Sequence, residues 1–132
     1  MAADTPKAPK TPASLAERPN LTGPQEELLL RTAADRVAAA VRCHPAQRLE
    51  DVLGEAAKVA VLGAFVTLKR CGQLRSCCGF LGKTVPLHEA LDHAAVRAAK
   101  DDPRFPPISP AELPYLDLEV WLLWNMQPVT VQ

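Results

Sequence analysis

At 132 residues, the chain has room for one domain with a modest core. Its 15 Lys and Arg balance 15 Asp and Glu, a formal net charge of zero, which argues against the clustered basic excess of a nucleic-acid-binding face. The longest apolar run, Val59 to Leu68, is too short to span a bilayer, so no membrane association is expected.

The start of the chain, Met1-Ala2-Ala3-Asp4-Thr5-Pro6, has no apolar stretch of the kind a secretory signal needs. A cytoplasmic, reducing location follows, with Cys43, Cys71, Cys77 and Cys78 as free thiols. Residues 1–21 are rich in Pro, Ala, Lys and Thr and are read as a disordered tail preceding a domain over 22–132. Pro6, Pro9 and Pro12 fall three apart, so a polyproline ligand is the alternative reading.

A helix is predicted to start at Thr22 to Pro24, where Thr22 and Gln25 fit a capping box and Pro24 is tolerated in the first turn. Leu30, Ala34, Val37 and Val41 are expected to form its apolar face, and Cys43-His44-Pro45 to end it. Glu50 to Leu62 is ambiguous between a short helix and an approach to a strand. Two strands are predicted over 63–69 and 73–81, with Gly72 taking a positive φ in the turn between them. A second helix over 86–100 buries Leu87, Leu91, Ala94 and Ala98, while Glu89, His93 and Arg97 follow one another at four-residue spacing on another face. Asp101-Asp102-Pro103 stops it, and the prolines make 104–108 extended. Ser109-Pro110-Ala111-Glu112 reads as a capped turn. Leu116 to Leu123 alternates as a half-buried strand, with Trp121 and Trp124 adding bulk.

The chemistry-bearing stretch is Arg75-Ser76-Cys77-Cys78-Gly79 on the second strand. Packing alone does not call for a cation, two thiols and a glycine there. Arg75 and Cys77 share a strand face by alternation, so they can bind an anion together, or Arg75 can activate a Cys77 thiolate. Gly79 and Gly82 allow a ligand close to the backbone. The competing reading makes the cysteines small buried hydrophobes. For Arg75 the expected partner is a carboxylate, from Asp101, Asp102 or Glu119, or an open anion site. No metal site is expected: His88 and His93 are five apart, about 140° around a helix, and Cys77-Cys78 lacks the gap of a zinc knuckle. No phosphate-binding glycine loop and no cofactor motif occurs.

These blocks resemble a known family. The order Gly63-x-Phe65-Val66-Thr67-Leu68, Gly72-x-Leu74-Arg75-x-Cys77-x-Gly79, Asp101-Asp102-Pro103-Arg104-Phe105-Pro106-Pro107, Glu112-Leu113 and Leu118-Glu119-Val120 is similar to the AMMECR-type domain, whose prokaryotic members are called AmmeMemoRadiSam system protein A. The resemblance covers about residues 25–129. It implies a single α+β domain with a mixed or antiparallel sheet and packed helices. It also implies Memo-type and radical SAM proteins as partners, and no settled activity. The family's Leu-Arg-Gly-Cys-Ile-Gly hexapeptide stands here as Leu74-Arg75-Ser76-Cys77-Cys78-Gly79. The resemblance marks Cys77 as the candidate catalytic residue and Arg75, Ser76, Cys77 and Gly79 as ligand-binding candidates. It marks Thr67, Asp102, Arg104 and Phe105 as further motif residues. The family domain continues past the strand near Leu123, so the chain reads as shortened at its C-terminus, either a fragment or a naturally shortened member. Two functions compete: a non-catalytic interaction or scaffold module, and a small-molecule or enzymatic site built on Arg75 and Cys77.

Overall fold

The computed structural model describes residues 21–124 and 127–131. The expected tail through residue 20 and the side chain of Trp124 lie outside the described residues.

Helix α1, Gly23–Arg42, opens on the expected capping box: Gln25 N–H donates to Thr22 Oγ1, and Thr22 N–H donates to Gln25 Oε1. It ends at Cys43, which takes φ 56°, and His44 N–H reaches back to the Ala39 carbonyl. Its buried stripe is Leu29, Ala33, Val37 and Ala40; of the expected residues Val37 is in it, Leu30 and Val41 are partly buried against the core, and Ala34 is exposed. The ambiguous stretch resolves into α2, Leu49–Leu53, a 3-10 helix over Gly54–Lys58, and the start of a strand at Ala60.

Strands β1, Ala60–Arg70, and β2, Gln73–Pro86, form a hairpin. Helix α3, Leu87–Lys100, crosses over to a 3-10 turn, Pro110–Tyr115, which leads into β3, Leu116–Trp124. A further strand that the sequence did not announce, β4, Gln127–Val131, pairs with β3. The sheet is antiparallel in the order β2-β1-β3-β4. The fold is therefore α+β with an antiparallel sheet.

One face of the sheet carries the core. Ala64, Val66 and Leu68 of β1 and Val120 and Leu122 of β3 are buried together with the stripe Leu87, Leu91, Ala94 and Ala98 of α3, as expected. Alanines at 33, 40, 90, 94 and 95 line the helices' buried faces, and such small side chains let α1 lie close on α3. An Arg36–Asp92 ion pair ties these two helices at the surface. The opposite face of the sheet has no helix upon it among the described residues. No helix among them is long and apolar enough to cross a membrane.

Candidate functional site

The hairpin turn is two residues long, Cys71 and Gly72, with φ of 54° and 78°. Two successive positive φ values match the twist of the flanking strands. The turn sets the hexapeptide antiparallel to Phe65–Leu68, so Thr67 faces Cys77 and Phe65 faces Gly79. The register then slips: Leu68 pairs with Ser76, but Lys69 pairs with Leu74. Arg75 is the residue left over, a bulge that re-aims its side chain.

That side chain is fully engaged. Arg75 Nε and Nη2 donate to the two carboxylate oxygens of Glu112 at 2.8 and 3.1 Å. Nη1 and Nη2 also donate to the carbonyls of Pro106 and Pro107 at 3.0 and 3.3 Å. Both charged side chains are largely buried, with 15% and 14% exposure. The partner is therefore Glu112, rather than Asp101, Asp102 or Glu119, and the arginine is not an open anion site. The bulge and the path of the proline segment bring the 3-10 turn to it. Glu112 also caps that turn by accepting the N–H and hydroxyl of Ser109.

Hydrogen bonding from Arg75, then from the Ser109 backbone, lowers the Glu112 carboxyl to about 2. A depressed carboxyl stabilises the fold fully above its ordinary value of 4.5 and ceases to do so as pH falls toward 2. Glu112→Gln is expected to remove on the order of 3 kcal/mol at neutral pH and to flatten the acid limb of stability. Urea midpoints measured from neutral pH down to about pH 3 check this.

Asp102, at the end of α3, is 5% exposed. Its Oδ2 accepts Cys77 N–H and Arg104 Nη2, both at 2.9 Å, and its Oδ1 accepts Arg104 N–H and Nε at 2.9 and 3.0 Å. Its carboxyl is held far below the usual range, first by the Arg104 side chain and then by the two backbone N–H groups. Arg104 Nη2 also reaches the Cys77 carbonyl at 3.3 Å, and Arg97 Nη1 the Gly79 carbonyl at 3.0 Å. Strand β2 lies at the sheet edge, where outward backbone groups invite pairing with another chain. Here side chains from α3 and the following loop occupy the Cys77 N–H and the Cys77 and Gly79 carbonyls. Thus Arg97 works on β2 rather than on a helix-surface row with His93, whose ring meets Phe80 edge-on at 5.5 Å.

Ser76 points the other way. It is buried, and its hydroxyl donates to the Ala98 carbonyl in the last turn of α3 at 2.5 Å, satisfying one of the carbonyls that a helix end leaves free. Cys78 is buried on the same side, and burial, then the charge of Asp102, pushes its thiol up. Phe105 is half-buried with the Arg104 guanidinium 5.4 Å from its ring centre.

Of the hexapeptide, Cys77 faces the open side, where its Sγ lies 3.2 Å from Thr67 Oγ1. The two residues line a groove of about 440 Å³ with Phe65, Lys69, Glu119, Trp121, Leu122 and Leu123. Lys69 Nζ donates to Glu119 at 3.1 Å, and Trp121 Nε1 donates to the same carboxylate at 3.2 Å. Arg75 is absent from this lining, so the structure separates the two residues that alternation had placed together. Phe65, Lys69 and Trp121 were not among the site candidates read from the sequence, where Phe65 stood only in a family block and Trp121 only as bulk on a strand. The signal was present in β1, where Phe65, Thr67 and Lys69 alternate with the core residues Val66 and Leu68. Among the described residues, no group of three or more His, Cys, Asp or Glu is placed to hold a metal ion, and all four cysteines are free.

An antiparallel sheet with helices on one face, and a Leu-Arg-x-Cys-x-Gly strand clamped at its edge over an open groove, defines a small α+β module with one face unclad among the described residues. The chain belongs to the AMMECR1 family, whose model matches residues 30–132. It is 47% identical over 70 residues to a protein of Methanothermobacter thermautotrophicus, a match covering 53% of this chain and 36% of that one. It is 49% identical over 67 residues to Protein TK0174 of Thermococcus kodakarensis, covering 47% and 33%. The solved structure of the uncharacterized protein PH0010 from Pyrococcus horikoshii is similar with a TM-score of 0.66 and 32% identity, over 77% of this chain and 52% of that one. The chain thus spans about a third of the length of these curated relatives and about half of the solved one.

Proposed function

We propose that this chain is an interaction module, and that its contact surface is the open sheet face around Cys77. The observation carrying this reading is the division of the hexapeptide. Arg75 is consumed by Glu112 and two proline carbonyls, whereas the groove beside Cys77 is lined mainly by apolar side chains. An anionic small substrate would need a free cation, and the groove's lysine is already paired with Glu119. An unclad apolar sheet face is the ordinary signature of a protein contact. The Memo-type and radical SAM proteins implied by the family resemblance are the partners to try first. Titration calorimetry with each purified partner is expected to give a complex with at least one. Trp121→Asp is expected to weaken it about tenfold or more. Ala34→Glu, on the exposed side of α1, leaves it unchanged. Absence of binding to either partner, or equal binding by Trp121→Asp, would overturn the proposal.

The Thr67 hydroxyl beside the Cys77 thiol favours a second reading, a small-molecule site using that thiol. A compound released from the purified chain by denaturation, identified by mass spectrometry and no longer retained by Thr67→Val, would support that reading instead.

A further inference from the structure

The segment joining α3 to the 3-10 turn is rich in proline, and residues 106–109 are neither helix nor strand. Proline rings fix φ at about −65° at Pro106, Pro107 and Pro110. Each ring also restricts the residue before it to extended or polyproline II backbone. Ser109 accordingly lies at φ −94° and ψ 153°. Burial along this strap repeats every third residue. Phe105 is half-buried and Ile108 buried, whereas Arg104, Pro106, Pro107, Ser109 and Pro110 are exposed. Three residues per turn is the period of a polyproline II helix. One edge therefore rests on the domain and the other two face solvent. The outward residues form two x-Pro pairs, Pro106-Pro107 and Ser109-Pro110, on either side of the inward Ile108.

The strap has no backbone N–H left to offer. Its prolines have none. Arg104 N–H donates to Asp102 Oδ1 at 2.9 Å, and Phe105 N–H to the Asp102 carbonyl at 3.2 Å. Ile108 N–H donates to the Ala99 carbonyl at 2.9 Å, and Ser109 N–H to Glu112 Oε2 at 3.0 Å. An added strand needs free donors as well as acceptors, so strand addition is closed here. What faces outward is a ridge of proline rings, with carbonyl oxygens that each carry two lone pairs. Arg75 donates to the carbonyls of Pro106 and Pro107 and so ties the strap to β2. We propose that Pro106–Pro110 is a docking ridge for a partner domain whose aromatic-lined groove reads polyproline II. Each x-Pro pair seats between aromatic rings of the partner, and an indole or phenol donor bonds a strap carbonyl. Ile108 stays in its own domain. The strap is held in shape before contact, so binding loses little ordering entropy. This surface is distinct from the sheet face proposed above, since none of its residues lines the groove beside Cys77.

The test titrates purified SH3, WW and EVH1 domains into the intact, isotope-labelled chain and follows its amides by NMR. At least one domain is expected to bind with a Kd on the order of 10 μM, as suits a small contact. It is expected to shift the amides of Phe105, Ile108, Ser109 and Glu112. Pro107→Ala and Pro110→Ala are each expected to weaken binding about tenfold while retaining a cooperative melt. Ala34→Glu leaves it unchanged. The amide shifts are read on the unsubstituted chain, so they decide the matter even where a proline variant unfolds. Binding by none of the three kinds of domain overturns the proposal. So does undiminished binding by both proline variants. Shifts centred on Phe65, Thr67 and Trp121 in place of the strap overturn it too, and would support the sheet-face reading. Failure of the sheet-face reading in its own calorimetric test leaves the strap shifts expected here unchanged.

Discussion

Replacing Asp102 by alanine is expected to cost about 3 kcal/mol and to lower the melting temperature on the order of 15 °C. The side chain is only 3% exposed and receives four hydrogen bonds. Removing it strands the Cys77 N–H at the sheet edge, and an unsatisfied part-buried donor costs roughly 1–3 kcal/mol by itself. It also frees Arg104, but that guanidinium is 56% exposed and rehydrates. The loss therefore sits at the lower end for a broken buried pair. Arg104→Ala is expected to cost about 1 kcal/mol, since both backbone N–H bonds to the carboxylate survive it. Asp102→Asn falls between, because an amide oxygen still accepts from Cys77 while the charge is gone. The pH dependence has a definite sign. The folded-state carboxyl is depressed, so its contribution is complete above the ordinary value of 3.8 and is lost only in stronger acid. Asp102→Asn should accordingly narrow the gap to wild type as pH falls. Urea midpoints across pH and the exchange rate of the Cys77 amide check both parts. An amide that exchanges as slowly in Asp102→Asn as in wild type would mean the clamp does not hold the strand.

How much of this was legible depended on how local each feature is. The Thr22–Gln25 and Ser109–Glu112 caps join residues three apart, so their chemistry reads directly from sequence. The α3 stripe was legible because leucines stand out at helical spacing. The α1 stripe was read correctly at Val37 and one residue late on either side of it, because Leu28-Leu29-Leu30, Ala33-Ala34 and Ala38-Ala39-Ala40-Val41 offer apolar residues in several phases. Strand β4 was hidden by Pro128, which demotes a segment in any strand reading. It is tolerated because β4 is the edge strand, opposite Leu123. The site divided in the same way. The hexapeptide was found from its unusual residue types, but the bulge that turns Arg75 toward Glu112 is a property of strand pairing. Glu112 is 37 positions away and looked like nothing more than a cap.

Gly79→Ala is the second large effect expected, about 3 kcal/mol of destabilisation. At the hexapeptide's glycine a neighbouring ring and a carbonyl approach the backbone closely. A methyl group at Gly79 would lie 2.2 Å from the Ala64 carbonyl oxygen and 2.5 and 2.6 Å from Cδ2 and Cγ of Phe65. The carbonyl belongs to the central strand and cannot yield without disturbing pairing on both sides. The Phe65 ring can yield only by lifting into the groove, the space proposed for a partner. A single methyl should therefore lower stability and alter the contact face together. The double variant separates these causes. Phe65→Ala removes the ring, so Gly79→Ala made in that background should cost less than in wild type, the remainder being the clash with Ala64. Urea midpoints of the two single variants and the double variant measure this coupling. If Gly79→Ala proves as stable as wild type, or its cost is the same with and without the Phe65 ring, then ring packing does not explain the glycine. Its place in the hexapeptide would have to be sought in the groove's occupant.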